Sequence, residues 1–298
     1  MIQEWPTADG FWIPWIVAKD KGFYKKEGID LDIMAPPNTS ATMQYLGTGR
    51  ADLAFGTSVD VVTSASKGVP VVSIARYGEA NNWGLMTSTG TPINPASLKG
   101  KKIGTYTDSW SAAQLQIMLA NVGLKLSDVT LVTASDDTVP LLVQKKVDAI
   151  TGVTNAEGSE LTSLGQKYSV ALAKNYGAPN APVFSLAANS SWLSKNPALA
   201  KKFLKATIEG MNYARSHPTY AVSRFLKDYP KAETKAFATL QWKDTAPLLG
   251  TAGKTLTASD LTQTNAAWTD IVDAAAKYKV IDKAGKVSSY YTNSALQK

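Results

Sequence analysis

Four aromatic residues and two hydroxyl-bearing segments are the parts of this chain best suited to holding a small molecule. Trp5, Phe11, Trp12 and Trp110 fall in stretches read as loops. A buried core side chain is not required there, and a flat ring laid against an aromatic face gains about 0.5–1.5 kcal/mol beyond area burial. Thr57-Ser58 and Ser109–Ser111 each follow a strand-like run and open a helix-like one. Free backbone N–H groups and hydroxyls at such a junction suit an oxyanion or a carbonyl oxygen, although the same residues also serve as ordinary helix caps. Asn81, Asn82, Asn155 and Glu157 also follow strand-like runs. In open α/β sheets a ligand sits outside the carboxyl ends of the strands.

Groups for covalent or metal chemistry are few. The chain has no cysteine and one histidine, His217, beside Pro218 and far in sequence from every loop named above. Thiolate catalysis, disulfides, iron–sulfur ligation and multi-histidine metal sites are excluded. A carboxylate pair such as Asp108 with Glu157 is the remaining acid–base option. The expectation is therefore a binding protein with no enzymatic activity, no cofactor and no metal.

The elements that must position these residues follow from the pattern of apolar residues. Over 298 residues, with 44% hydrophobic and 18% charged, there is material for a sizeable core. Residues 13–26, 40–48, 58–67, 109–122 and 139–144 carry helical spacing, and 2–5, 29–34, 51–56, 69–76, 84–87, 101–105, 129–132, 147–152 and 184–188 read as strands. From about residue 190 the pattern is helical: 191–195, 197–215, 218–228, 230–239, 245–250 and 257–278, with Pro197, Pro218 and Pro230 at first helical positions. Two strand–helix–strand series followed by a helical tail predict an α/β protein of two lobes. The net charge of +7 comes from dispersed lysines and predicts no nucleic-acid partner. No run of 18 apolar residues appears.

Five segments, in order, carry a resemblance: Ala18–Leu31 (AKDKGFYKKEGIDL), Leu46–Gly56 (LGTGRADLAFG), Lys67–Ala75 (KGVPVVSIA), Leu98–Gly104 (LKGKKIG) and Val147–Ile150 (VDAI). The series resembles the solute-binding proteins of ABC importers, in the branch of nitrate, sulfonate, taurine and thiamine-pyrimidine-precursor binders. The resemblance implies a two-lobe periplasmic-binding-protein fold (type II) with the ligand cleft between lobes 1–83 plus 186–298 and 84–185. It implies hinge closure over a small ligand, a membrane ABC permease as partner and a monomeric state. It also implies an extracytoplasmic location, with an export or lipid-anchoring segment outside this sequence.

Trp5 followed by Pro6-Thr7 looks like the first loop of the pyrimidine-precursor binders, which stack an aminopyrimidine and hydrogen-bond it with amides and carboxylates; Asn81, Asn82, Asn155 and Glu157 match that need. The histidine expected soon after that loop is absent. Yeast-type relatives of the fold are enzymes that use their own histidine and a cysteine-rich iron motif, and this chain has neither. The reading is capture of a small flat heterocycle such as a thiamine pyrimidine precursor. The alternative is an oxyanion (sulfonate, taurine or nitrate) held at Thr57-Ser58 and Ser109–Ser111; an enzyme on the same scaffold is the third reading.

Overall fold

The buried run Val71–Tyr77 and its neighbours assemble as mixed sheets in a computed structural model that describes residues 1–88, 93–134 and 136–297. In the first sheet β1 (Leu53–Thr57) and β2 (Val71–Tyr77) flank β8 (Phe184–Asn189), and both run antiparallel to it. All residues of β1 and β8 are buried, which explains their continuous apolar character. The second sheet has the order β5 (Thr130–Thr133), β4 (Lys102–Thr105), β6 (Ala149–Val153), β3 (Trp83–Thr87), β7 (Ser169–Leu172). Here β4 is parallel to β5 and β6, and β3 is antiparallel to β6 and β7. The chain passes from the first sheet to the second between Tyr77 and Trp83, and returns between Leu172 and Phe184. The α/β class and the periplasmic-binding-protein fold expected from the sequence are those of the structure.

Several elements differ from expectation. Residues 2–5 and 29–34 form no full strands: Ile2 bridges Met34 and Ala54 in parallel, and with the Ser73–Tyr291 bridge these short pairings extend the first sheet. The extended segment at 29–34 has just Met1–Gln3 to pair with, and that contact is spent in two backbone hydrogen bonds. Pro230 sits in a turn, and the next helix begins at Lys235 behind its cap, Thr234. Strand β7 is only four residues long and the helix Glu157–Ser163 has a single leucine as its large apolar residue, so neither shows a clear apolar period in the sequence.

The helical tail wraps the first sheet. Pro197–Ser216 lies along Ile13–Asp20, and Gly210 permits the approach: a Cβ there meets the Pro14 carbonyl oxygen at 2.4 Å and Ala18 Cβ at 2.6 Å. Alanine normally favours a helix interior over glycine by about 1 kcal/mol. The backbone clash wins at this position, because overpacking costs about 1–3 kcal/mol and a carbonyl cannot rotate away. Gly210→Ala is expected to lower the melting temperature by several degrees (about 2–4 °C per kcal/mol). A raised melting temperature would show that the two helices separate freely. Among the described residues no helix is long and apolar enough to cross a membrane.

Candidate functional site

The carboxyl ends of β4 and β6, the loop after residue 4 and the turn at 231–234 converge on a cavity of about 390 Å³ between the two sheets. A larger groove of about 960 Å³ lies away from the strand ends, among the tail helices near Tyr213, Arg215 and Trp242.

Aromatic rings form one part of the wall. Trp5 meets Phe11 edge-on at 5.4 Å and Phe184 at 5.9 Å. Trp110, 9% exposed, packs against Trp83 at 6.1 Å and Phe184 at 5.6 Å. Tyr106 and Phe237 complete the apolar lining.

Eight acidic residues line the cavity as well. Glu4 and Asp9 come from the first loop, Asp108 from the end of β4, Asp136 and Asp137 from the segment before Val139, Glu157 and Glu160 from the helix after β6, and Glu233 from the tail. These eight carboxylates share the cavity with no Lys, Arg or His among the described lining residues. The chain as a whole carries a net +7, so the cleft reverses the sign of the protein around it.

Each carboxylate has a local reason for its place. Asp9 caps the turn Gly10–Trp12, accepting from Phe11 N at 2.9 Å, and Gln241 Nε2 donates to it at 3.4 Å. Gln241 in turn accepts from Gly10 N, at a glycine whose Cβ would strike that amide. Asp108 caps the helix Ser109–Asn121 through Ser111 N at 2.6 Å. Glu157 accepts from the Tyr106 hydroxyl at 2.6 Å and from Val153 N at 2.8 Å. Glu4 is 5% exposed and its Oε2 has no hydrogen-bond partner. Gly56 leaves room for it, since a Cβ there would sit 2.8 Å from that oxygen.

Burial without counter-charge pushes several of these groups above the usual carboxylate range. Desolvation raises Asp108 to about 6 and Glu157 to about 7. Burial first and then the charge of Asp137 and Glu157 raise Glu160 to about 8; burial and then Asp9 raise Glu233 to about 9. Glu4 lies well above the usual carboxylate range through burial, then through Asp60 and Asp108. Such a group ionises in the folded chain when the pH passes its raised value, or when a cation or a set of donors arrives.

Of the residues singled out in the sequence, Trp5, Phe11, Asp108, Trp110, Ser111 and Glu157 line the cavity. The others do not. Trp12 is 1% exposed and turns inward at the start of the helix Ile13–Asp20, edge-on to Tyr229. Thr57 caps the helix Ser58–Ser66 and also donates to Asp60, Ser58 Oγ donates to the Pro182 carbonyl at 2.9 Å, and Ser109 Oγ donates to Asp60 Oδ1 at 2.7 Å. Of the hydroxyls expected to receive an oxyanion, those of Thr57, Ser58 and Ser109 are therefore committed to a carboxylate or a carbonyl, and that of Ser111 lines the cavity. Asn81 braces the crossing between sheets, bonding the Pro179 carbonyl at 3.1 Å and accepting from Trp83 N. Asn82 donates to Asn155 Oδ1, and Asn155 Nδ2 reaches Thr245 in the tail at 2.8 Å. His217 is exposed and stacks on Tyr213 at 4.1 Å, away from the cavity.

Glu4, Asp9, Glu160, Glu233 and Gln241 were missed. Glu4 stands one residue before Trp5 and was open to notice; Glu233 and Gln241 arrive from the tail, where nothing local marks them.

The family model described as NMT1/THI5 like matches residues 12–221. A 4-amino-5-hydroxymethyl-2-methylpyrimidine phosphate synthase of Saccharomyces cerevisiae is 27% identical over 251 residues, covering 77% of this chain and 71% of the yeast protein. A Haemophilus influenzae protein named for thiamine biosynthesis is 28% identical over 236 residues, covering 78% and 74%. Among solved structures, the alkanesulfonate-binding protein SsuA of Xanthomonas axonopodis bound to MOPS superposes with a TM-score of 0.73 at 14% identity, covering 98% of this chain and 96% of that one. The periplasmic aliphatic sulphonate binding protein of Escherichia coli gives 0.69 at 17%, covering 97% and 89%. At these identities the superpositions establish the fold alone. The yeast relative also overturns one expectation: the chain was read as having no enzymatic activity, and its similar curated relatives are named as synthases. With the family model spanning more than two thirds of its residues, the chain belongs to the NMT1/THI5-like family.

Proposed function

We propose that this chain captures a small, flat nitrogen heterocycle of the pyrimidine type in the cleft between its sheets, as the extracytoplasmic binding component of an ABC importer. The carrying observation is the cleft itself: aromatic faces from Trp5, Phe11, Trp110 and Phe184 beside eight carboxylates, with no basic side chain in the described lining. Ring amino groups are donors, and carboxylates are their natural acceptors. Alkyl sulfonates and nitrate bring negative charge and no donor to a wall rich in acceptors, and the hydroxyls of Ser58 and Ser109 are bonded elsewhere. In this reading the lobes are 1–83 with 186–298 and 84–185, and the two crossings near residues 78–82 and 173–183 are the hinge. Ligand closes the clamp by binding the closed state better than the open one. The family membership and the periplasmic relatives in fold support this role.

Tryptophan fluorescence tests it. A pyrimidine amine is expected to quench the parent chain, and Trp110→Ala to weaken its affinity roughly tenfold or more, with Trp110→Phe close to the parent. Unchanged affinity in Trp110→Ala, with its fold intact by circular dichroism, would end the stacking account.

The names of the relatives favour a second reading, chemistry in the same cleft. Glu157, titrating near neutrality and bonded to Tyr106, is the group suited to moving a proton on a bound ring. Product formation by the parent chain, lost in Glu157→Gln, supports it; quantitative return of unchanged ligand refutes it.

A further inference from the structure

One tail helix is bonded both to the elements around the first sheet and to those of the second. Helix Lys235–Thr245 is anchored on the first side at two points: Trp242 Nε1 donates to the Ala214 carbonyl at 3.2 Å, and Gln241 accepts from Gly10 N and donates to Asp9. The same helix packs on Glu157–Ser163, which follows β6 of the second sheet. Two hydrogen bonds cross that contact. Ser159 Oγ donates to Asp244 Oδ2 at 2.6 Å, and Asn155 Nδ2 donates to Thr245 Oγ1 at 2.8 Å. Ser159, Asn155 and Thr245 are each 1% exposed. Polar atoms so buried need their partners, so these bonds resist any separation of the two helices.

The contact stands beside one of the two crossings between the sheets. Asn82, in the crossing between Tyr77 and Trp83, donates through Nδ2 to Asn155 Oδ1 at 2.5 Å. Asn82, Asn155 and Thr245 thus form one polar row from the crossing to the tail. The turn Ala246–Leu249 that follows the helix lies against the same crossing, where a Cβ added at Gly78 would sit 3.5 Å from the Leu248 carbonyl oxygen. Other bonds also join elements of the two sheets, from Ser109 to Asp60, Gln116 to the Tyr278 carbonyl and Thr7 to Asp136. Of these and the two helix bonds, that of Asn155 to Thr245 is the one buried at both ends.

We propose that helix Lys235–Thr245 is a strap: rooted in the first lobe and buttoned to the second at Asp244 and Thr245, it holds the cleft narrow whether or not a ligand is bound. This deepens the two-lobe clamp reading given above and rests on it. Neither Asp244 nor Thr245 lines the cavity. They act as positioning residues, setting the fraction of chains in the closed state, and the affinity for a ligand of that state scales with this fraction.

Small-angle X-ray scattering of the full chain, with no ligand added, tests the strap. A compact chain of 298 residues has a radius of gyration of roughly 19 Å. Asp244→Ala combined with Thr245→Val is expected to raise the radius measurably above that of the parent, with the far-UV circular dichroism unchanged. Asp244→Asn combined with Thr245→Ser keeps both acceptors and is expected to match the parent. Should the first pair of changes unfold the chain, Ser159→Ala removes one bond by a smaller change and is expected to give part of the same rise. Equal radii in the parent and the loosened chains, with the fold intact, would overturn the strap, and so would an equal rise in the conservative pair. A strap seen here while no pyrimidine binds would leave the strap standing and remove the ligand assignment; equal radii with pyrimidines still bound would do the reverse.

Discussion

At pH 8 the Glu157→Gln variant is expected to melt above the parent chain by several degrees, and at pH 5 the two are expected to melt together. Burial holds Glu157 at about 7, against an ordinary 4.5. Below about pH 4.5 the group is protonated in both the folded and the unfolded chain and contributes nothing. Between 4.5 and 7 the unfolded chain gives up its proton first, so stability falls as pH rises. Above 7 the folded chain carries a buried charge and the whole penalty is present. That gap corresponds to about 3 kcal/mol. At roughly 2 °C per kcal/mol this is on the order of 5 °C. Glutamine mimics the protonated acid: its amide oxygen takes the Val153 N–H and its amide nitrogen donates to Tyr106, whose hydroxyl turns toward Thr138. Asp108, Glu160 and Glu233 are raised for the same reason, so the parent chain itself should lose stability from pH 5 to 9. Thermal melts of both chains across that range decide it. An equal gain at both pH values would mean that packing, not charge, separates them.

A single methyl group on β6 should empty the site. Gly152 faces Glu157 so closely that a Cβ would lie 2.3 Å from its Cδ and 2.4 Å from Oε2. That carboxylate is no loose side-chain end, since Tyr106 and Val153 both hold it. Gly152→Ala must push Glu157 out of its place in the cavity wall, and overpacking of this kind costs about 1–3 kcal/mol. Pyrimidine affinity is expected to drop by about 100-fold, through loss of a buried charged hydrogen-bond acceptor. Adding Glu157→Ala to Gly152→Ala removes the clash, and should restore the melting temperature without restoring binding. If Gly152→Ala binds within threefold of the parent, Glu157 does not touch the ligand.

What could be read from the sequence followed the distance over which its signals act. Continuous apolar runs such as Val71–Tyr77 and capped helices such as Ser109–Asn121 are written locally, and they stand in the structure within a residue or two of the expected bounds. Pro197 and Pro218 open helices as expected; Pro230 does not, because the chain needs a turn there to bring Glu233 to the cleft. The site was legible where it follows a strand end: Trp110 and Glu157 stand after β4 and β6. It was illegible where the tail folds back, because Gln241 reaches Gly10 across 231 residues and no local pattern announces that pairing. The serines show the converse case. Ser109 has the composition of an anion site, and only the three-dimensional structure places Asp60 at its hydroxyl. The acidic character of the cleft was hidden by a net positive chain, because a sum over 298 residues says nothing of the few that share a wall.

The most direct test of a cleft built for a nitrogen heterocycle is a thermal-shift comparison of the parent chain with pyrimidine amines and with taurine, alkyl sulfonates and nitrate. A ligand at 100 times its dissociation constant stabilises the fold by about 2.7 kcal/mol, a shift of roughly 5 °C. The cleft described here predicts that shift with one or more pyrimidine amines and none with the sulfur and nitrogen oxyanions. A shift with a sulfonate and none with any pyrimidine would contradict it, and would mean that the acidic wall is not where the ligand binds.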